Sequence, residues 1–113
     1  MKKIEAVILP LQLDAVRSEL RRLGIRGGLT MGEVRHSEND KGAPPTEKGT
    51  TRAFGQRIKL ELMVDDGQVE KAVNAILRHA RPESDEDGGQ IAVLEVNEVT
   101  QIGRPSHETT DPL

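Results

Sequence analysis

Two stretches of the chain repeat one order of apolar patterns, a short apolar run followed by a helical stripe. Residues 4–9 form a run with charges only at its start, which is typical of a buried strand. From Leu13 to Leu23, leucine or valine recurs every third or fourth residue, the spacing of one helix face. Gly24 follows as a typical helix stop. The first copy therefore predicts a strand and then a helix.

The second copy lies between residues 58 and 80. Apolar residues alternate with mostly polar ones over 58–64, which predicts a half-buried strand. Asp65 and Asp66 precede Gly67, and either aspartate is predicted to cap the following helix. Apolar residues then form a helical stripe over 69–80, with His79 predicted to be a solvated surface residue.

Weaker apolar runs complete the pattern. Strands are predicted near 29–34 and over 91–96, with a short edge strand at 99–102. The order βαββαβ predicts an α+β, ferredoxin-like fold. Helices cover one face of such a sheet, so the other face needs a cover, and self-association is a common solution.

Two polar segments interrupt these elements. Residues 36–55 and 82–89 carry few apolar side chains, and a loop of nearly twenty residues in so small a domain is usually functional. One folded domain is predicted over 1–104, followed by a flexible tail at 105–113.

Composition narrows the possible functions. The chain has no cysteine, which excludes disulfides and thiolate chemistry, and three scattered histidines predict no metal site. One phenylalanine, no tryptophan, no tyrosine and a net charge of -3 disfavour nucleic-acid binding. No apolar run reaches membrane-spanning length, so a cytoplasmic protein without direct membrane insertion is expected. Hydrolase, P-loop and metalloprotease motifs are missing, so no catalytic residue or catalytic cofactor is predicted.

The chain resembles the PII signal-transduction proteins over nearly its whole folded region. The resemblance rests on Met1-Lys2-Lys3-Ile4-Glu5-Ala6-Val7-Ile8, Pro10, Leu13-Asp14-Ala15-Val16, Gly24-Ile25, Glu33-Val34, Ile58-Lys59-Leu60-Glu61-Leu62, Val69-Glu70-Lys71-Ala72-Val73 and residues 91–99. It implies a homotrimer that binds adenine nucleotides in clefts between subunits. It also implies that residues 36–55 are the T-loop, which contacts a target protein such as a transporter or an enzyme. Residues 82–89 would be the B-loop, and 99–103 the start of the C-loop.

Several positions depart from the family pattern. The T-loop tyrosine that many members modify is missing, because the chain has no tyrosine. The family's loop-base glutamine corresponds to Asp40, which would repel 2-oxoglutarate, and the lysine that pairs with that ligand corresponds to Arg57. Arg57 still offers a two-pronged carboxylate partner. A small-anion site is therefore predicted at Lys41, Arg57 and Lys59.

The B-loop departs further. The family's Gly-Asp-Gly-Lys run corresponds to Asp87-Gly88-Gly89-Gln90, and Arg104 lies one residue from the position of a C-loop arginine. Like charges about 4 Å apart at a protein surface repel by about 4 kcal/mol, so triphosphate binding should be weakened. ADP or AMP then fits better than ATP. The predicted nucleotide-binding residues are Val7, Thr30, His36, Glu61, Met63, Val64, Asp87, Gly88, Gly89, Gln90 and Arg104.

These departures resemble the carboxysome-associated branch of PII-like proteins, which respond to ADP or AMP together with bicarbonate. The resemblance implies a regulatory sensor whose target is a transporter, an enzyme or a carboxysome-related component. A trimeric interaction module that has lost its nucleotide remains the alternative.

Overall fold

The computed structural model describes residues 1–25, 28–36, 55–81 and 88–103. Four strands and two helices lie within these ranges, in the predicted order. The helices are each preceded by a short 3-10 turn, Pro10–Gln12 and Asp66–Gln68. The elements are β1 (Lys2–Ile8), α1 (Leu13–Arg22), β2 (Leu29–His36), β3 (Gly55–Val64), α2 (Val69–His79) and β4 (Gln90–Glu95).

The four strands form one antiparallel sheet in the order β2-β3-β1-β4. In the β1–β3 register Ile4 lies opposite Leu62, and in the β1–β4 register Ile4 lies opposite Val93. Both crossovers pass through a helix, and both helices pack on the same face of the sheet. The ferredoxin-like α+β prediction is confirmed.

The core between sheet and helices is aliphatic. Alternate residues of β1 and β3 point into it, and the largest fully buried side chains are Ile4, Leu60, Ile76 and Val16. Burying such a side chain stabilises a fold by roughly 1.5–3 kcal/mol. The strand alternation and the helical stripes of the sequence therefore mark the buried positions.

Local signals at the element ends have mixed outcomes. Gly24 follows α1 with a φ of 79°, the left-handed conformation expected of a helix stop. The predicted capping of the second helix is wrong: Asp65 makes no side-chain cap hydrogen bond. The Asp66 carboxylate instead accepts a hydrogen bond from the Met1 amino group at 2.8 Å, which holds the pKa of Asp66 below its ordinary value. The predicted strand at 99–102 is also wrong, since those residues have no regular structure.

Gln12 joins the start of α1 to the end of α2. Its Oε1 accepts a hydrogen bond from the Leu9 N–H at 2.9 Å, and its Nε2 donates to the Arg81 carbonyl at 3.3 Å. The side chain is buried, so it satisfies two backbone groups that would otherwise lose their bonds to water. Gln12 therefore fixes the helix layer where the two helices meet.

A second connection between the helices is ionic. The Glu19 carboxylate accepts two hydrogen bonds from the Arg22 guanidinium, at 2.6 and 3.0 Å, and these lower the pKa of Glu19. From α2, Arg78 and His79 lie 3.6 and 3.7 Å from the same carboxylate. The prediction of a solvated His79 is therefore wrong, because this side chain is only half-exposed against Glu19.

Most of the predicted T-loop (36–55) and B-loop (82–89) and the whole predicted tail (105–113) lie outside the described residues. Of these segments the structure describes His36, Gly55, Gly88 and Gly89. Within the described part of the chain, no helix has the length and apolar character needed to span a membrane.

Candidate functional site

The face of the sheet opposite the helices carries a row of alternating residues. Strand alternation places Lys3, Glu5 and Val7 of β1 on this face, and the cross-strand register places Met63, Glu61 and Lys59 of β3 directly opposite them. We call this surface the open face. It contains most of the residues that sequence reasoning assigned to ligand binding.

Four charged side chains at the centre of the open face form one network. Glu5 and Glu61 lie directly opposite each other on β1 and β3. Two like charges in this position destabilise a sheet when no opposite charge lies near them. Lys3 lies 3.0 Å from Glu5 and 3.6 Å from Glu61, and Lys59 lies 4.0 and 3.4 Å from the same two carboxylates. Each lysine therefore bridges both glutamates.

The network changes the ionisation of its members. The hydrogen bond between the Lys3 ammonium and Glu5 raises the pKa of Lys3 and lowers the pKa of Glu5. Lys59 was predicted to bind a small anion, and Glu61 to bind a nucleotide. In this structure Lys59 and Glu61 form an ion pair with each other. Lys59 also pairs with Glu5, and Glu61 also pairs with Lys3.

Arg57 differs from the other cations of the open face. Alternation puts it on the same face as Lys59, yet it is only 8% exposed. One guanidinium nitrogen, Nη1, donates to the Gln56 carbonyl at 2.9 Å, while the buried Nε–H has no hydrogen-bond partner among the residues that the structure describes. A buried donor without a partner costs about 1–3 kcal/mol, which distinguishes Arg57 from the lysines of the open face.

Several predicted ligand residues lie at the Arg57 end of the open face. Val7 pairs with Lys59 on one side and with Gln90 on the other. A β-carbon on Gly89 would collide with the main chain of Val7, so the B-loop end rests directly on β1. His36 lies opposite Gly55, two residues from Arg57 along β3.

The resemblance assigns the adenine base to Val7, Thr30, Glu61, Met63 and Val64, and all of these except Val7 lie further along the sheet. Thr30 pairs with Glu61, and Met63 pairs with Lys3. Val64 is five residues from Lys59, roughly 17 Å at the rise of a strand. Its side chain is buried on the helix face, so the backbone alone is available to a ligand on the open face. Glu61 and Thr30 lie between Val7 and Met63, so the described binding residues form one row along the strands.

The other predicted ligand residues lie outside the described residues: Lys41, Asp87 and Arg104. Among the described residues, no cluster of three or more His, Asp or Glu side chains has the geometry of a metal site.

The ion-pair network and the connections through Gln12 and Glu19 were not found from sequence, since they depend on strand register and helix packing. The register itself follows from the alternation of residues 58–64.

The ferredoxin-like sheet, with helices on one face and charged side chains on the other, defines a small α+β protein. Comparison with known proteins gives the family. The model of the family described as nitrogen regulatory protein P-II matches residues 1–107.

Full-length relatives agree with this match. The chain is 37% identical to a nitrogen regulatory protein P-II of Synechocystis sp. over 111 residues, covering 96% of this chain and 97% of that protein. It is 39% identical to the protein of the same name from Nostoc punctiforme, covering 90% and 91%. The corresponding Pasteurella multocida protein is 37% identical over the whole of both chains. The chain belongs to the P-II family, which confirms the sequence-based resemblance and agrees with the expectation of a regulator rather than an enzyme.

Proposed function

We propose that this protein is a P-II regulator that binds ADP or AMP in preference to ATP, with a small anion such as bicarbonate held by Arg57. The proposed site lies between copies of a homotrimer and controls how residues 36–55 contact a target protein. The observation that carries the proposal is the buried Arg57 guanidinium, whose Nε–H has no partner within the described ranges.

The charges of the open face support a ligand with few phosphates. Lys59, which the sequence analysis predicted to bind an anion, already forms ion pairs with Glu5 and Glu61. Arg57 makes no ion pair within the described part of the chain. One guanidinium suits one small anion, since it offers two parallel N–H donors, but it does not neutralise a triphosphate.

The length of the row of candidate residues supports a site shared between subunits. Val7, Gly89 and Gln90 lie at one end of the sheet, whereas Met63 and Val64 lie at the other. A nucleotide that contacts residues from both ends of this row is accommodated most simply when a second copy supplies one end. A cyclic homotrimer provides three such equivalent contacts.

Calorimetric titration tests the proposal. ATP, ADP and AMP are titrated into the protein, each with and without bicarbonate at constant pH. Analytical ultracentrifugation measures the mass of the assembly. We expect heat from ADP or AMP, weaker binding of ATP and a trimeric mass. Arg57→Gln should remove the bicarbonate dependence, whereas Arg35→Gln on the neighbouring strand should keep it. Tighter binding of ATP than of ADP would contradict the proposal.

A nucleotide-independent interaction module is the second candidate. A β-carbon on Gly89 would collide with the main chain of Val7, so this glycine has a structural role without any phosphate. If none of the nucleotides gives heat at millimolar concentration while the trimer persists, this candidate replaces the first.

A further inference from the structure

The two helices meet at one buried carboxylate that is surrounded by cations. Glu19 of α1 accepts two hydrogen bonds from Arg22 of the same helix. Arg78 and His79 of α2 lie 3.6 and 3.7 Å from the same carboxylate. The side chains of Arg22 and Arg78 nevertheless remain 67% and 61% exposed. One negative charge thus gathers two arginines, and the surface around it keeps an excess of positive charge.

The charge of the helix layer is opposite to that of the whole chain. Residues 13–22 and 69–81 carry six arginines or lysines and three carboxylates, although the chain has a net charge of -3. The dipole of a helix favours cations in its last turn, which accounts for Arg22 and Arg78. It does not account for Lys71.

Lys71 is placed against the preference of its own helix. It is the third residue of α2, where the dipole disfavours a cation. It is exposed, and it makes no hydrogen bond or ion pair with another residue in the described ranges. Lys71 and Arg78 are about two turns apart and share one face of α2, roughly 10 Å apart along its axis. Residues that break a local rule are expected at functional surfaces. We call Arg22, Lys71 and Arg78 the basic face.

We propose that the basic face binds an acidic helix of a partner protein. Carboxylates two turns apart on such a helix would pair with Lys71 and Arg78, and a third would reach Arg22. An extended segment does not match this spacing, because side chains roughly 10 Å apart along a strand are three residues apart and point to opposite faces. The basic face lies on the helix layer, so the inference goes beyond the nucleotide and anion site proposed for the open face.

The size of the basic face favours a protein partner over a membrane. Clusters that bind anionic lipids contain roughly four to eight lysines and arginines. The basic face has three, and the Glu19 carboxylate lies beside two of them. Exposed ion pairs each contribute little, so we expect weak binding in which charge sets the orientation and the rate of association.

The test uses the full chain and a labelled alanine-rich peptide of about 20 residues, long enough to form a helix. Its glutamates lie seven residues apart on one face. Fluorescence anisotropy should show saturable binding that weakens as salt is raised from about 0.05 M to about 0.5 M. A peptide of the same composition with its glutamates spread around the helix should bind about fivefold more weakly or worse.

Protein variants locate the site. Lys71→Gln with Arg78→Gln should weaken binding about fivefold or more. Arg17→Gln with Arg21→Gln removes the same charge from the β2 side of α1 and should leave binding unchanged. Lys71→Glu with Arg78→Glu should abolish binding of the glutamate peptide and create binding of a peptide with lysine in place of each glutamate. Thermal unfolding and analytical ultracentrifugation show that each variant is folded and assembled.

Any of four results would overturn the proposal. Equal weakening by the two glutamine double variants would show unspecific attraction. Equal binding of the two glutamate peptides would show that net charge, rather than the spacing of a helix face, is recognised. Binding to vesicles of phosphatidylserine and phosphatidylcholine without binding of either peptide would identify a membrane surface as the partner. Binding to neither probe would show that the basic face has no acidic partner of this kind.

Discussion

The backbone of Gly89 lies so close to Val7 that a β-carbon at this position would overlap the Val7 carbonyl oxygen and lie 3.0 Å from its carbonyl carbon. Gly89→Ala therefore forces the start of β4 away from β1. We expect a loss of about 1–3 kcal/mol in the free energy of unfolding, the usual cost of overpacking. Urea unfolding followed by circular dichroism measures it.

Gly32→Ala is the matched control for this prediction. Gly32 also lies in a strand, but a β-carbon there would meet no atom within 4 Å. Equal unfolding midpoints for the two variants would show that the close approach of Gly89 to Val7 does not limit which residue is tolerated at position 89.

The bridging role of Lys3 can be measured with a double-mutant cycle. Lys3→Met leaves Glu5 and Glu61 opposed with one lysine between them, so the melting temperature should fall. Adding Glu5→Gln to this variant removes the repulsion and should recover part of the loss. Lys71→Met, at an exposed position of α2, serves as the control. Failure of the second substitution to recover stability would argue against the network.

Gln12 should contribute through the two backbone groups that it satisfies. Gln12→Leu leaves the Leu9 N–H and the Arg81 carbonyl without this partner in a buried place, a loss of about 1–3 kcal/mol. Gln68 holds the equivalent position before α2 and has no side-chain hydrogen bond among the described residues, so Gln68→Leu is the control. Urea unfolding of the two variants gives the comparison, and an equally large loss in the control would refute the assignment.

The ion pairs of Glu19 predict a pH dependence of stability. The hydrogen bonds from Arg22 hold the pKa of Glu19 below its ordinary value of 4.5 in the folded chain. The stabilisation from this group is therefore complete above pH 4.5 and is lost as the pH falls through the lowered folded value.

Urea midpoints between about pH 6 and about pH 3 measure this effect. Glu19→Gln should lower the midpoint near neutral pH and should differ less from the parent protein at the acid end of the range. Glu70→Gln, on the exposed first turn of α2, should follow the parent protein at every pH. A constant difference between Glu19→Gln and the parent protein would contradict the prediction.

The sequence was most informative where burial sets the pattern. The alternation at 58–64 and the stripes beginning at Leu13 and Val69 predict elements that the structure places within a few residues. The sheet order follows because two strand–helix–strand units have few ways to pack. Thus the core residues Ile4, Leu60 and Ile76 could be predicted without coordinates.

The sequence was least informative where a polar residue has several possible partners. Asp66 was predicted to cap a helix, yet the Met1 amino group binds it because the start of β1 lies beside that turn. Lys59 was predicted to bind an anion, yet strand register places it beside Glu5 and Glu61. His79 was predicted to be solvated, yet helix packing brings it to Glu19. In each case the partner is distant in sequence, so composition and periodicity do not reveal it.

The aliphatic core has a practical consequence for spectroscopy. With no tryptophan or tyrosine and only Phe54 as an aromatic side chain, the protein absorbs very little near-ultraviolet light of its own. Any adenine base carried through purification would dominate that part of the spectrum. The absorbance of freshly prepared protein thus reveals whether a nucleotide is already bound, and a single introduced tryptophan would provide a background-free fluorescent reporter.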